Sequence, residues 1–379
     1  MTPWNQRVPV AWCMLLHRKG RFLLSMLGIA FSVVIMFMEI GFSNGINDSQ
    51  ARLPVFLNAD LVLLHKARTN LLEGDRLNRI RMQQALACDE VVSAVPLYEG
   101  LQLVVNPDTN LVRVISVLAF PPRTTPLKLP ELDGLTERLG VKGNVLFDRL
   151  SRPVYGTIRE GTQLTIGDQP TTVVGFVGIG PSIRSDGYVL MGNETWDDSK
   201  AGADLVSMAL LKVKPGTDLD ALKTKLLAQL GEEITVLTPE ELREREVYFT
   251  AHATPAGGVF AVGLSIGFLI GMIICYQILF NEISDNMPQY ATVKAVGFSK
   301  SYLVVLVMQQ AVLLAVFGFL PGLAGGAVLY FVIQRATQIL MFLTWQRAGF
   351  IFVLTLFMCA VSGLLAVRKV LRADPAEVF

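Results

Sequence analysis

Four stretches of this chain are long and apolar enough to cross a lipid bilayer, and that constraint leaves few folds open. A hydrocarbon core about 30 Å thick needs roughly 20 apolar residues in helical conformation. Phe22–Phe42 qualifies, with Glu39 near its outer end as its only charge. Val259–Phe280 and Tyr302–Ile333 carry no charge, and Ala348–Val367 is the fourth run. The third run holds 32 residues and contains Pro321, so it is expected to tilt, to kink at the proline or to extend past the bilayer.

Charge sorts the remainder. Between Ser43 and Pro255 lie 22 basic and 27 acidic residues of the 33 and 32 in the whole chain, so residues 43–255 read as a folded aqueous domain. A formal net charge of +1 with no basic cluster argues against a nucleic-acid binder. Of Cys13, Cys88, Cys275 and Cys359, only Cys88 falls in that block, which excludes a disulfide within it. His17, His65 and His252 are far apart and no C-x-x-C pair occurs, so no zinc site is expected.

Orientation follows from the short flanks, because cytoplasmic loops collect Lys and Arg while long exported loops escape that bias. Arg7, Arg18, Lys19, Arg21, Lys294, Lys300, Arg368, Lys369 and Arg372 fall on one side, against Arg335 and Arg347 on the other. Both termini are therefore expected in the cytoplasm. The expected layout is a tail (1–21), a first span (22–42), an extracytoplasmic domain (43–255), a second span (256–280) and a cytoplasmic loop (281–301). A third span (302–333), a short outer loop (334–347), a fourth span (348–367) and a tail (368–379) complete it. The first run is longer than the roughly 7 to 15 residues of a signal-peptide core and lacks an A-x-A-like site, so it reads as an anchor. Ahead of it Val10, Ala11, Trp12, Leu15 and Leu16 share one face, as in a helix lying on the membrane surface.

Inside the exported block, Ala59–Leu64 reads as a strand, Arg79–Ala87 as a helix and Leu101–Val105 as a strand. Leu205–Val213, Asp218–Leu230 and Ile234–Leu237 repeat that order. The fold class is thus four transmembrane helices with a large α+β extracytoplasmic domain. That domain comprises two βαβ-like halves and, at about 117–200, an inserted β-rich subdomain; a single mixed α+β domain is the alternative.

Gly263-Leu-Ser265-Ile-Gly267 matches a hydrolase nucleophile elbow, but Ser265 lies within an uncharged span without a His or acid beside it. The four-residue spacing is more telling: Gly263, Gly267 and Gly271 stack on one helix face, as do Gly318, Gly322 and Gly326, and such columns let helices approach closely within one subunit or between two copies. Gln309, Gln310, Gln277 and Asn281 read as interhelical hydrogen-bonding residues, and Glu39 as an acid reaching interfacial water or a contact with the exported domain. No Gly-Lys dipeptide occurs, so this chain lacks a Walker phosphate cradle and binds no ATP through one; no cofactor is expected.

The loop Asn281–Ser301 stands out. Asp285 or Asn286 can cap a helix with Pro288 in its first turn, Tyr290, Val293 and Val296 as its apolar edge and Gly297 as its end. With few basic residues to hold it on headgroups, such a helix suits a groove on a partner.

The chain resembles the DevC family of ABC exporter membrane subunits, within the wider MacB and FtsX type. The resemblance is carried by GIAFSVVIMFMEIGF, NADLVLL, VLFDRLSRPVYG, SDGYVLM, VLTPEEL, YQILFNEISDNMPQYATVKAVGFSKSYL and MCAVSGLLAVRKVLRADPAEVF. Met287, Pro288 and Gln289 depart from it, standing where relatives tend to carry a more polar, often acidic stretch. The resemblance implies a homodimer in a bacterial inner membrane of cyanobacterial type, bound to a separate ATPase that holds the ATP. It implies that Met287, Tyr290, Val293, Lys294, Val296, Gly297 and Phe298 form the ATPase coupling helix. A periplasmic adaptor and an outer-membrane channel are the further partners implied, for export of lipid or other envelope compounds. An FtsX-like regulator of a periplasmic hydrolase or signalling partner is the alternative. An enzymatic exported domain is the weakest reading, because no catalytic constellation emerges.

Overall fold

The computed structural model describes residues 19–50, 52–71, 75–182, 185–196, 204–253, 255–288, 290, 299–337 and 341–372. The expected surface helix near Val10 lies outside them. The chain divides into two compact units, Ile46–Thr254 and the residues on either side, Met1–Gly45 with Pro255–Phe379.

In the outer-flank unit, the first apolar run belongs to helix α1 (Lys19–Gln50), which continues past Phe42 through Asn44, Asn47 and Asp48. At 1.5 Å per residue α1 is about 48 Å long, well beyond a hydrocarbon core. Among the described residues, four helices are long and apolar enough to cross a membrane, with candidate spans Phe22–Ser49, Gly257–Asp285, Ser301–Ala336 and Trp345–Arg368. Helical hydrogen bonding inside each outlasts the apolar run that marks it in the sequence. The expected outer loop is accordingly shorter, since helix extends to Thr337 and resumes at Trp345. The interior of this unit joins Ile29, Val33, Met36 and Phe37 with Cys275, Leu279 and Ile283, with Leu303, Val307 and Leu314, and with Ile351, Met358 and Cys359. Among the polar groups inside it, Ser32 and Thr355 donate to carbonyls one turn back, whereas Ser362 reaches a neighbouring helix and donates to the Met272 carbonyl at 2.8 Å.

The central unit begins with the short helix α2 (Arg52–Phe56) and is organised by strands β1 (Leu61–His65), β2 (Leu77–Asn78), β3 (Val91–Val105) and β4 (Val112–Phe120). Helix α3 (Arg79–Leu86) lies between β2 and β3, with Asn78 accepting from the Ile80 amide as its N-cap. Next come β5 (Asn144–Asp148), β6 (Gln163–Ile166), β7 (Gln169–Val177), β8 (Tyr188–Gly192), β9 (Leu205–Val206) and β10 (Met208–Val213). Helix α4 (Leu219–Leu230), β11 (Ile234–Leu237) and α5 (Pro239–Ala253) complete the unit. Asp218 caps α4 by accepting from Asp220 and Ala221 amides.

The main sheet runs β11-β1-β10-β3-β4-β8-β5-β7-β6. Its first four strands are antiparallel neighbours, so β1 lies between β10 and β11, and β10 between β1 and β3. The two βαβ-like halves therefore interleave, as in a split βαβ arrangement, rather than standing side by side. Strand β3 joins this part to the β-rich part: Val91–Leu97 pairs with β10, whereas Tyr98–Val105 pairs with β4. Val104 also bridges Ile166 of β6, which bends the six strands β3-β4-β8-β5-β7-β6 into a closed ring. The β-rich segment expected at about 117–200 is present, but it begins earlier, at Tyr98, and is hydrogen-bonded into one sheet with the rest. Val145, Phe147, Tyr155, Leu164, Ile166, Val173, Val189 and Met191 fill the side shared with α3 and α4, while Val62, Leu64, Leu97, Leu118, Phe120 and Leu210 pack with Leu53 and Leu242 on the opposite side.

Candidate functional site

Helices α6 (Pro255–Asp285), α7 (Lys300–Thr337) and α8 (Trp345–Arg372) complete the membrane unit. Both glycine columns face α1. A Cβ at Gly263 would strike the Glu39 carboxylate, one at Gly267 would lie 2.9 Å from Ile35, and one at Gly271 would meet Met358 and come within 2.8 Å of Ser32. From α7, a Cβ at Gly318 would lie 2.6 Å from Ile29, one at Gly322 2.6 Å from Val33 and 3.1 Å from the Ala30 carbonyl, and one at Gly326 3.1 Å from Phe37. Contacts below 3.0 Å do not occur for real Cβ atoms, so several of these glycines fix the depth to which α1 sits between its neighbours. Tyr330 adds a polar tie from α7, donating its hydroxyl to the Phe37 carbonyl.

At the root of the loop after α6, the Tyr290 amide bonds to the Asn286 carbonyl at 3.1 Å, and Asn286 in turn bonds through its amide to the Glu282 carbonyl. Tyr290 is only 2% exposed and donates its hydroxyl to the buried Gln310 of α7 at 3.1 Å. The side chain expected on the partner-facing edge thus points into the membrane unit and ties the loop to α7. Met287 packs partly buried against the same core. Val293, Lys294, Val296, Gly297 and Phe298 lie outside the described residues. Gln310 is the interhelical hydrogen-bonding residue of the expected set; Gln277, Asn281 and Gln309 are exposed on this chain. Ser265 donates to the Ala261 carbonyl one turn back, an ordinary helical serine.

In the central unit, two buried charge clusters anchor the elements that lead to the spans. Arg68, beyond β1, donates to Glu99 Oε2 at 2.9 Å, to the Leu71 carbonyl at 2.9 Å and to the Ser207 carbonyl at 3.1 Å. Ser207 receives the Glu99 amide at 2.8 Å, and Glu246 of α5 accepts the Leu71 amide at 2.9 Å. Burial pushes the Glu246 carboxyl up to about 7, partly opposed by the Leu71 amide and the nearby Arg245 and Arg68. The second cluster is Asp148, fully buried, which accepts from the Leu150, Ile179 and Gly180 amides. Burial raises its carboxyl above the usual range, against the attraction of Arg52 in α2. Gly180, at φ +88, leaves room for that Arg52 side chain. So α5, which precedes α6, is tied to the segment after β1 through Glu246, and Arg52 of α2 lies near enough to Asp148 to be attracted to it.

None of these ties was legible beforehand. Arg68, Glu99 and Glu246 are isolated charges in unrelated segments, and nothing local links them. Among the described residues, no group of three or more His, Cys, Asp or Glu is arranged to hold a metal.

Two family models match the chain. One described as the MacB-like periplasmic core domain matches residues 22–229, more than half of the chain, and one described as the FtsX-like permease C-terminal matches residues 261–375. No curated protein sequence matches. Among solved structures, the periplasmic region of MacB from Actinobacillus actinomycetemcomitans is similar at 10% identity and a TM-score of 0.34, over 50% of this chain and 92% of that one. The extracellular domain of the noncanonic ABC-type transporter YknZ from Gram-positive bacteria is similar at 12% identity and a TM-score of 0.35, over 47% and 99%.

Proposed function

Because the chain belongs to the MacB/FtsX type of ABC permeases, we propose that it is the non-catalytic membrane subunit of a DevC-like exporter, relaying the work of a separate ATPase to its periplasmic domain. The observation that carries this reading is the treatment of α1. Glycine columns from two helices seat it in the membrane unit, and it runs on as one helix to Gln50, immediately ahead of α2. A helix gripped this closely by its neighbours over Ile29–Glu39 is suited to pass on displacement instead of absorbing it. Buried Glu246 gives α5, on the return path to the second span, a comparable anchorage.

In this reading the loop from Met287 to Phe298 docks on the ATPase, and Tyr290 with Gln310 passes its movement to α7. ATP is held by the partner, both termini face the cytoplasm across an inner membrane, and two copies of this chain pair. A periplasmic adaptor and an outer-membrane channel would complete a route for lipid or other envelope compounds.

The test is co-purification of the full chain with its ATPase from vesicles, with ATP turnover as the readout. Val293→Asp combined with Val296→Asp should abolish stimulated turnover while membrane insertion is preserved. Unchanged turnover would overturn coupling through the loop. Capture of a wall hydrolase by the periplasmic domain, in place of an adaptor, would assign the chain to the regulatory branch of the same type.

A further inference from the structure

The packing of α1 uses Glu39 only through its contact with Gly263, and the surroundings of its carboxylate are unusual for an acid in a membrane span. It lies half-buried on α1, on the turns leading toward the periplasmic domain, with its carboxylate laid against α6 over Gly263. Any side chain at Gly263 would occupy the position of that carboxylate. Among the described residues Glu39 has no hydrogen-bond or ion-pair partner. A carboxylate at this depth is costly to keep and ordinarily pairs with a cation or a donor. An acid serving only to pack two helices would be expected to make such a pair within the chain.

A cleft opens at that point between α1 and α6. It has a volume of about 230 Å³ and is lined by Glu39, Ile40, Ser43, Asn44, Phe260 and Leu264, with Gly257 and Ala261. No basic residue is among them. Asn44 spends its amide N–H on the Ile40 carbonyl at 2.8 Å, which leaves its oxygen as an acceptor. Carboxylate, amide oxygen and the Ser43 hydroxyl together offer three acceptors, matching the three donors of a primary ammonium. The Ile40, Phe260 and Leu264 side of the cleft is apolar, and Phe42 stacks on Phe260 with ring centroids 6.5 Å apart. The volume falls below the usual 300 Å³ or more of a site that engulfs a whole small molecule, so it accommodates a headgroup while the tails stay in the bilayer.

We propose that this cleft binds the primary ammonium headgroup of an amphiphile in the periplasmic leaflet, with Glu39 as its counter-ion and Gly263 as the residue that makes room for it. The site is independent of the partner ATPase, so its test succeeds or fails separately from that of the relay.

The full chain would be extracted from phosphatidylcholine vesicles doped with equal small amounts of phosphatidylethanolamine and phosphatidylglycerol, and the retained lipid read by native mass spectrometry. Phosphatidylethanolamine should be enriched about tenfold over either other lipid, the worth of one charge-assisted hydrogen-bonded pair. Glu39→Gln, nearly isosteric, should erase the enrichment, and Ala261→Trp should erase it by filling the cleft with the carboxylate intact. Millimolar soluble ethanolamine should not compete. Equal enrichment in wild type and Glu39→Gln, or none in wild type, would overturn the proposal; displacement by soluble ethanolamine would overturn the lipid as the source. Quantitative cross-linking of two copies through Glu39→Cys would assign the cleft to a subunit contact instead, and also overturn it.

Discussion

The membrane unit and the central unit solve opposite problems with opposite means. In the membrane unit, lipid tails are as apolar as the side chains, so the helices gain little from burying grease and are located by close packing at small residues. Gly318 and Gly322 against Ile29 and Val33 illustrate this, with few polar ties such as Tyr290 to Gln310. In the central unit, water outside makes apolar burial strongly favourable, and the sheet can then tolerate interior charges that fix particular elements in place. Arg68, Glu99, Glu246 and Asp148 sit there at 8% exposure or less. One unit is positioned by what its residues lack, the other by what they carry.

That contrast is open to direct attack. The largest effect is expected from Glu99→Ala, which strands the Arg68 guanidinium in the interior. It should cost about 3–5 kcal/mol and bring the central unit close to unfolding, seen as loss of protease resistance in full-length protein held in detergent. A similar tolerance of Glu99→Ala and of an exposed control such as Glu160→Ala would erase the contrast.

Next in size is a pH effect. The folded chain holds the Glu246 proton up to about pH 7, whereas the unfolded chain releases it near 4.5. Stability should therefore fall as pH rises from about 4.5 towards 7 and then level off, by up to roughly 3 kcal/mol. Asp148, also shifted upward, slopes in the same direction. Urea midpoints from pulse proteolysis at pH 5.5 and pH 8 would measure it, with Glu246→Gln flattening the slope while still accepting the Leu71 amide. A midpoint that rises with pH would contradict the buried acid.

Gly322→Ala comes third. Its methyl would press on Val33 and on the Ala30 carbonyl, a backbone atom that cannot swing aside, at about 1–3 kcal/mol. Increased labelling of a cysteine placed at Val33 would report the loosening of α1, whereas Gly349→Ala, with open space around it, should change nothing. The smallest effect is Tyr290→Phe, which removes one hydrogen bond worth about 1 kcal/mol and leaves the ring buried. Its signature is functional: weakened coupling to ATP turnover with normal insertion and normal ATPase binding.

Much of the layout could be read from the residues because the bilayer imposes a length and a composition that few soluble segments imitate. The four spans, the large domain between the first two and the spacing of both glycine columns are all written locally. The continuation of α1 to Gln50 was hidden, since the polar residues from Asn44 onward end the hydropathy signal without ending the helix. The role of Tyr290 was misplaced for a related reason. Its period puts it on an apolar edge with Val293 and Val296, but periodicity does not say which neighbour an edge meets. The ring closure through Val104 and Ile166, and the ties from Arg68 to Glu99 and from Leu71 to Glu246, join positions 62, 31 and 175 residues apart.

By itself the sequence determined where the chain must be helical, where it must leave the lipid and that it carries no Walker phosphate cradle, because each of these depends on short runs of residue types. Only the tertiary structure decided which helix the glycines grip, which way Tyr290 turns and which charges are buried together. Those outcomes depend on distances between segments remote in the chain, which packing fixes and local composition does not encode.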